Sequence, residues 1–201
     1  MSRESTPKRR YELKQRAQDM AATHLRITEA AIELHGSVGP ARTTLTAVAE
    51  RAGVERRTLY RHFPNEADLF AACSAHYFAA NPWPDLAKWR AIRDPQQRLT
   101  RALDELYAYY ERTEPMLGSV LRDAEVVEFA RDAVAPLQAY LDEAAEVLMA
   151  GRGRRQLVAG ALRHVVAFST WRSLAGNGIR RPDAVRLVTA LVDAAGLSRR
   201  R

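Results

Sequence analysis

Apolar residues recur three and four apart along most of this chain, and nowhere in the strict alternation of a half-buried strand. Met20, Ile27, Ala30, Ala31 and Leu34 share one helical face and predict a helix ending near His35-Gly36. Leu45, Val48, Ala49 and Ala52 form a second stripe, with Thr44 placed to cap it and Gly53 to stop it. A third helix is expected from about Glu55 to Phe63, burying Leu59 and Phe63, and Asn65 caps a fourth that runs to the break at Asn81-Pro82-Trp83-Pro84. Asp94-Pro95-Gln96-Gln97 opens the next, continued by Leu99, Leu103, Leu106 and Tyr110. Glu114-Pro115 is expected to end it, leaving Met116, Leu117, Val120 and Leu121 to a short helix. From Glu125 to Met149 the pattern is helical, with a kink or restart at Pro136. One helix is then expected through Leu157, Ala161, Val165, Phe168 and Arg172, stopped by Gly176-Asn177-Gly178. A last one opens at Arg181-Pro182-Asp183 and carries Val188, Leu191, Val192 and Ala195. The predicted fold is all-α.

Within this pattern the stretch Thr43–Leu69 concentrates polar chemistry on one short helix. Arg56 with Tyr60, and Arg57 with Arg61, are four-apart pairs lying off the buried edge, and Thr58 adds a hydroxyl. Two short helices joined by a glycine elbow, the second carrying cations outward, make a helix-turn-helix whose second helix enters the DNA major groove. Spacing alone equally accommodates an ordinary helical hairpin with a solvated basic face.

The wording of the motif goes further. Thr44-Leu45, Val48-Ala49, Ala52-Gly53-Val54 and the run Thr58-Leu59-Tyr60-Arg61-His62-Phe63-Pro64-Asn65 resemble the N-terminal domain of TetR/AcrR-type transcriptional regulators, over roughly Met20 to Phe70. Two positions depart from that family's pattern: Glu55 stands where a small hydroxyl residue is usual, and Glu66 where a lysine often follows the asparagine. The resemblance implies Thr44, Tyr60 and His62 as phosphate contacts. With Arg56, Arg57, Thr58 and Arg61 they form the expected DNA-binding set.

Charge agrees with that placement. Of 31 Lys+Arg and 24 Asp+Glu, twelve basic and seven acidic residues precede Pro64, while nineteen and seventeen follow it, so the positive excess gathers in the helix-turn-helix segment. Residues 1–16, with Arg3, Lys8, Arg9, Arg10, Lys14 and Arg16, read as a flexible basic arm, either a plain tail or a strap along phosphates. The expected organisation is this arm, a DNA-binding domain over 17–64, and a helical effector-binding and dimerisation domain over 65–201. One cysteine, Cys73, excludes an internal disulfide. No apolar run approaches the ~20 residues of a membrane span, and a soluble cytoplasmic protein is expected.

For the second domain the resemblance implies a four-helix interface between two subunits, here through Leu157, Ala161, Val165, Phe168, Val188, Leu191, Val192 and Ala195. It also implies a small-molecule pocket. Its candidate lining is Trp89, Tyr107, Tyr110, Met116, Phe129 and Trp171, suited to a hydrophobic or aromatic effector. The implied protein is a homodimeric regulator, a repressor that a ligand releases from a palindromic operator. The alternative is a dimeric ligand sensor or adaptor that does not bind DNA, favoured by Glu55 and Glu66. No catalytic residue, metal site or cofactor is expected: there is no HExxH, no Walker loop, no GxGxxG and no Glu-x-x-His pair.

Overall fold

The computed structural model describes residues 7–153 and 156–197, with side chains from Arg10 onward. Helices and turns make up those residues, and no strand occurs among them. The chain divides into two compact units. The first comprises the residues up to Ala80 together with Gly118–Asp132, and the second comprises Asn81–Leu117 and the residues from Ala133 on. The first unit therefore extends past the boundary expected at Pro64 and takes in a later segment as well.

In the first unit α1 runs Pro7–Ser37, α2 Leu45–Ala52, α3 Arg56–His62 and α4 Glu66–Ala80. Residues 7–16, expected as an arm, are thus the start of α1, while Arg3 lies outside the described residues. Ile27 and Ala31 of α1, Val48 and Ala49 of α2, Leu59 and Phe63 at α3, and Leu69 and Cys73 of α4 make one buried core. The helical spacing predicted this face, because residues three and four apart point the same way. Asn65 starts α4 by accepting the Asp68 backbone N–H at 2.8 Å. Burial pushes the Cys73 thiol up to about 12, and its Sγ lies 3.5 Å from the Thr28 carbonyl oxygen. His76, three residues on, is exposed.

The Gly118–Asp132 segment is tied to the loop after α1. Asp123 accepts the Ala41 backbone N–H at 2.9 Å and the Arg122 Nε–H at 2.7 Å, while Arg122 also donates to the Val38 carbonyl at 3.3 Å. Gly39, at φ 94°, lies so close to Asp123 and Arg122 that a Cβ there would collide with both. Nearby, the His35 ring packs 5.0 Å from Phe70, which packs 5.0 Å from Phe129. Burial lowers the His35 pKa to about 4, against a smaller opposing pull from Asp123.

The second unit contains α5 Leu86–Arg90, most of α6 (Pro95–Asp123) and of α7 (Glu128–Met149), and α8 Gln156–Val166, α9 Phe168–Gly176 and α10 Arg181–Leu197. Two boundaries differ from expectation. Helix α6 passes through Pro115 without ending, because its buried stripe continues across the proline as Leu106, Tyr110, Thr113 and Leu117. Packing on both sides outweighs the one lost ladder bond. Helix α7 holds Pro136 inside it without restarting there. The single helix expected from Leu157 to Arg172 is instead broken at Ala167, whose ψ of 137° is extended.

That break leaves carbonyls without their ladder partners. Thr170 N–H, which in an unbroken helix would reach Val166, bonds the Ala167 carbonyl at 3.1 Å. Two buried tyrosines of α6 fill the gap: Tyr107 donates to the Val165 carbonyl at 2.8 Å and Tyr110 to the Val166 carbonyl at 2.6 Å. The Thr170 hydroxyl donates to the His164 carbonyl at 2.6 Å. Burial raises both phenol pKa values far above the ordinary range, so the hydroxyls stay protonated as donors.

Candidate nucleic-acid interface

The geometry of the helix-turn-helix follows from its local sequence. Thr44 Oγ1 accepts the Ala47 backbone N–H at 3.1 Å and so fixes where α2 begins. Gly53 ends α2 in the left-handed region (φ 64°, ψ 40°), and Val54 N–H returns to the Ala49 carbonyl at 3.0 Å. The chain then re-enters a helix at Arg56, with Leu59 and Phe63 buried. Because these two positions are anchored inward, the remaining face of α3 is turned to solvent.

On that face Arg56, Arg57, Tyr60 and Arg61 are exposed, Tyr60 by 42%, and Thr58 is half-buried. They are not equivalent. Arg56 is already engaged with Tyr60, its Nη2 3.4 Å from the phenol oxygen and its guanidinium 5.9 Å from the ring centre. Arg57 and Arg61 carry no such intrahelical tie, so their planar forks face outward ready for guanine edges or phosphates. His62 departs from the expected set. It is half-buried, its ring lies 6.0 Å from the His24 ring of α1, and its Nε2 is buried without a partner. Burial, then Arg61 and His24, lower its pKa, so it sits neutral against α1 rather than aimed outward. Thr44 is exposed at the start of α2, where its hydroxyl caps the helix N-terminus and keeps its own proton to donate.

The Asp123 tie to the loop before α2 was not visible in the sequence. Its partners lie 82 residues apart, and no local pattern announces such a pairing.

The expected effector residues divide between the two units. Phe129 belongs to the first, packed on Phe70, and is withdrawn from the set for that reason. In the second, Trp89 is buried and donates its Nε1–H to Glu105 at 2.7 Å. Tyr107 and Tyr110 serve the broken helix, Trp171 packs 5.8 Å from Tyr110, and Met116 is half-buried. Tyr110, Phe168 and Trp171 are one aromatic group, with ring centres 5.3–5.8 Å apart.

Most of the expected dimer stripe is buried within the chain's own second unit. Ala161 and Val165 of α8 and Val188, Val192 and Ala195 of α10 are buried where those two helices pack together, and Phe168 of α9 is buried against Tyr110 and Trp171. Leu157 (56% exposed) and Leu191 (47%) remain outside, and both border a shallow groove with Gly160, His164 and Ala194. Among the described residues no helix is long and apolar enough to cross a membrane, and no cluster of three metal-ligating side chains occurs.

The glycine elbow that holds a cationic helix outward is the build of a helix-turn-helix. Residues 27–73 match the model of bacterial regulatory proteins, tetR family. The fold is similar to that of a TetR-like transcriptional regulator from Rhodococcus sp. RHA1 (22% identity, 86% of this chain and 94% of that one, TM-score 0.63). It is also similar to the TetR family transcriptional regulator PfmR from Thermus thermophilus (22%, 88% and 96%, 0.59). A third similar fold is the transcriptional regulator FadR from Bacillus subtilis, solved in complex with stearoyl-CoA (16%, 88% and 99%, 0.56). No curated protein matches the chain.

Proposed function

We propose that this chain is a regulator of the tetR family, a cytoplasmic homodimeric repressor released from a palindromic operator by a small apolar or amphipathic ligand. The observation that carries the DNA contact is the outward face of α3, where Arg57 and Arg61 are uncommitted while Leu59 and Phe63 lock the helix to its core. Arg56 acts through Tyr60, holding the phenol for a phosphate oxygen, and Thr44 offers a second phosphate donor. One such helix reads too few base pairs to be selective, whereas two related by two-fold symmetry read spaced half-sites. Leu157 and Leu191, left exposed beside a groove of small residues, are the seam for that second copy.

For the effector, the aromatic group Tyr110, Phe168 and Trp171, with Met116 at its half-buried edge, offers an apolar wall. The stearoyl-CoA bound by FadR, a similar fold, supports an amphipathic class of ligand. Release follows if the ligand prefers the form whose recognition helices are misplaced for the groove.

The test is fluorescence anisotropy on duplexes from the region upstream of the protein's own gene, at two salt concentrations. Arg57→Ala should lower affinity for the specific duplex by about 1–3 kcal/mol and blur its sequence preference. A parent chain with no salt-dependent affinity for any duplex would instead favour a sensor that has lost DNA, the reading Glu55 supports as an exposed anion at the start of α3.

A further inference from the structure

Helix α1 is far longer than its domain needs. Its packed part begins at about Thr23, yet it continues back to Pro7, and every residue from Arg10 to Ala22 is exposed. Tyr11, Leu13 and Met20 in that stretch remain open to solvent, so nothing in the chain's own fold accounts for the segment being there. At ~1.5 Å per residue, the distance from His24 back to Arg10 is about 21 Å.

Where this rod leaves the domain is defined. His24 touches the end of the recognition helix, its ring 6.0 Å from that of His62 and 4.4 Å from that of Phe63. Arg10, Ala17 and His24 recur every seven residues and so lie on one line of α1, the line that meets α3. Lys14 is one turn from Arg10 on the adjoining row. Between these cations and His24 stand Ala17 and Ala21, so the face is low as well as basic. Asp19 lies on another side of the helix and is engaged by Gln15 at 3.1 Å.

The geometry points to residues 10–22 of α1 as a second DNA-contacting element, a rigid rod that lays Arg10 and Lys14 on duplex phosphates beyond the base pairs read by α3. This deepens the DNA-binding reading and rests on it. The occupant is a polyanion of fixed charge spacing, one negative charge per ~1.7 Å of duplex axis, reached by a helix face that starts at the recognition helix and carries its cations, Lys14 and Arg10, toward its far end. Because phosphates carry no sequence, the rod adds affinity to every duplex alike and leaves specificity to α3.

The experiment uses the full chain, an upstream duplex from its own gene and an unrelated duplex of equal length, with anisotropy read across about 50–200 mM salt. Each cation released from a phosphate removes about 0.9 from the salt slope. Arg10→Gln with Lys14→Gln removes two cations per subunit and four per dimer, so over that fourfold salt rise the variant should lose about a hundredfold less affinity than the parent when both subunits are bound, equally on both duplexes. Arg10→Lys should keep the parent slope, and Ala17→Glu should weaken both duplexes by placing an anion on the contact line. A parent that binds with a steep slope beside a double variant with the same slope overturns the proposal and leaves the DNA-binding reading standing. A parent that binds neither duplex overturns that reading itself. If the double variant keeps its DNA slope but loses attachment to phosphatidylserine vesicles, the rod faces a membrane surface and the proposal is likewise overturned.

Discussion

Removing one oxygen atom tests whether the break at Ala167 is held by side chains. Tyr110→Phe keeps the ring and its packing against Phe168 and Trp171, but leaves the Val166 carbonyl buried without the donor now 2.6 Å away. The ladder cannot resupply it while Thr170 N–H is committed to Ala167. An unsatisfied buried acceptor costs about 1–3 kcal/mol, which for a chain of this length lowers Tm by roughly 2–4 °C per kcal/mol. Tyr107→Phe should cost a similar amount through Val165. The double variant should cost less than the two singles together, by at least ~0.5 kcal/mol, because with neither hydroxyl present the helix can close its own ladder. The assay is built in: Trp83, Trp89 and Trp171 are the only tryptophans and all lie in the second unit, so their fluorescence in urea follows that unit alone. A Tyr110→Phe variant within ~0.5 kcal/mol of the parent, or a strictly additive double variant, would refute the reasoning.

Other outcomes follow from the same structure. Burial raises the folded-state pKa of Tyr107 and Tyr110, so the stability they contribute is complete below pH ~10. It should fall as pH rises further, and tryptophan-detected urea midpoints from pH 9 to 11 check this. His35 has the opposite window: with its folded pKa lowered to about 4, the first unit should lose stability as pH falls from ~6.5, by about 3 kcal/mol at pH 4. Amide exchange of the first unit would follow that loss, and His35→Gln should flatten it. Gly53→Ala forces a Cβ into the left-handed region and should cost about 1–2 kcal/mol, whereas Gly53→Asn should cost less, as urea unfolding of the first unit will show. Leu157→Glu with Leu191→Glu should turn a dimer into a monomer by light scattering while leaving far-UV circular dichroism unchanged, since both side chains lie outside the core.

The sequence was most legible where one residue governs its own neighbourhood. The Thr44 cap, the left-handed Gly53, the Asn65 cap and the inward Leu59 and Phe63 are all local signals, and each stands in the structure as the spacing predicts. The exposed arginines of α3 follow from them. Illegible features depend on partners far along the chain. Ala167 is a good helix former followed by no breaker, and the hydroxyls that make its break tolerable lie 56 and 58 residues before the carbonyls they serve. Pro115 reads as a stop until the buried stripe on both sides is known to continue. The α8 and α10 stripe was legible as apolar but not as to what covers it, because periodicity defines a face and not its neighbour. His62 shows the same limit: helical spacing puts it near the groove, but only the structure shows its ring beside that of His24.

The solitary thiol of Cys73 gives the protein an internal clock. Buried in the first unit and held protonated by a pKa near 12, it is inert to thiol reagents while α1, α2, α3 and α4 stay closed around it. Its labelling rate therefore measures how often that cluster opens, free of any second sulfhydryl, and comparing the rate with and without duplex asks directly whether DNA fastens the domain shut.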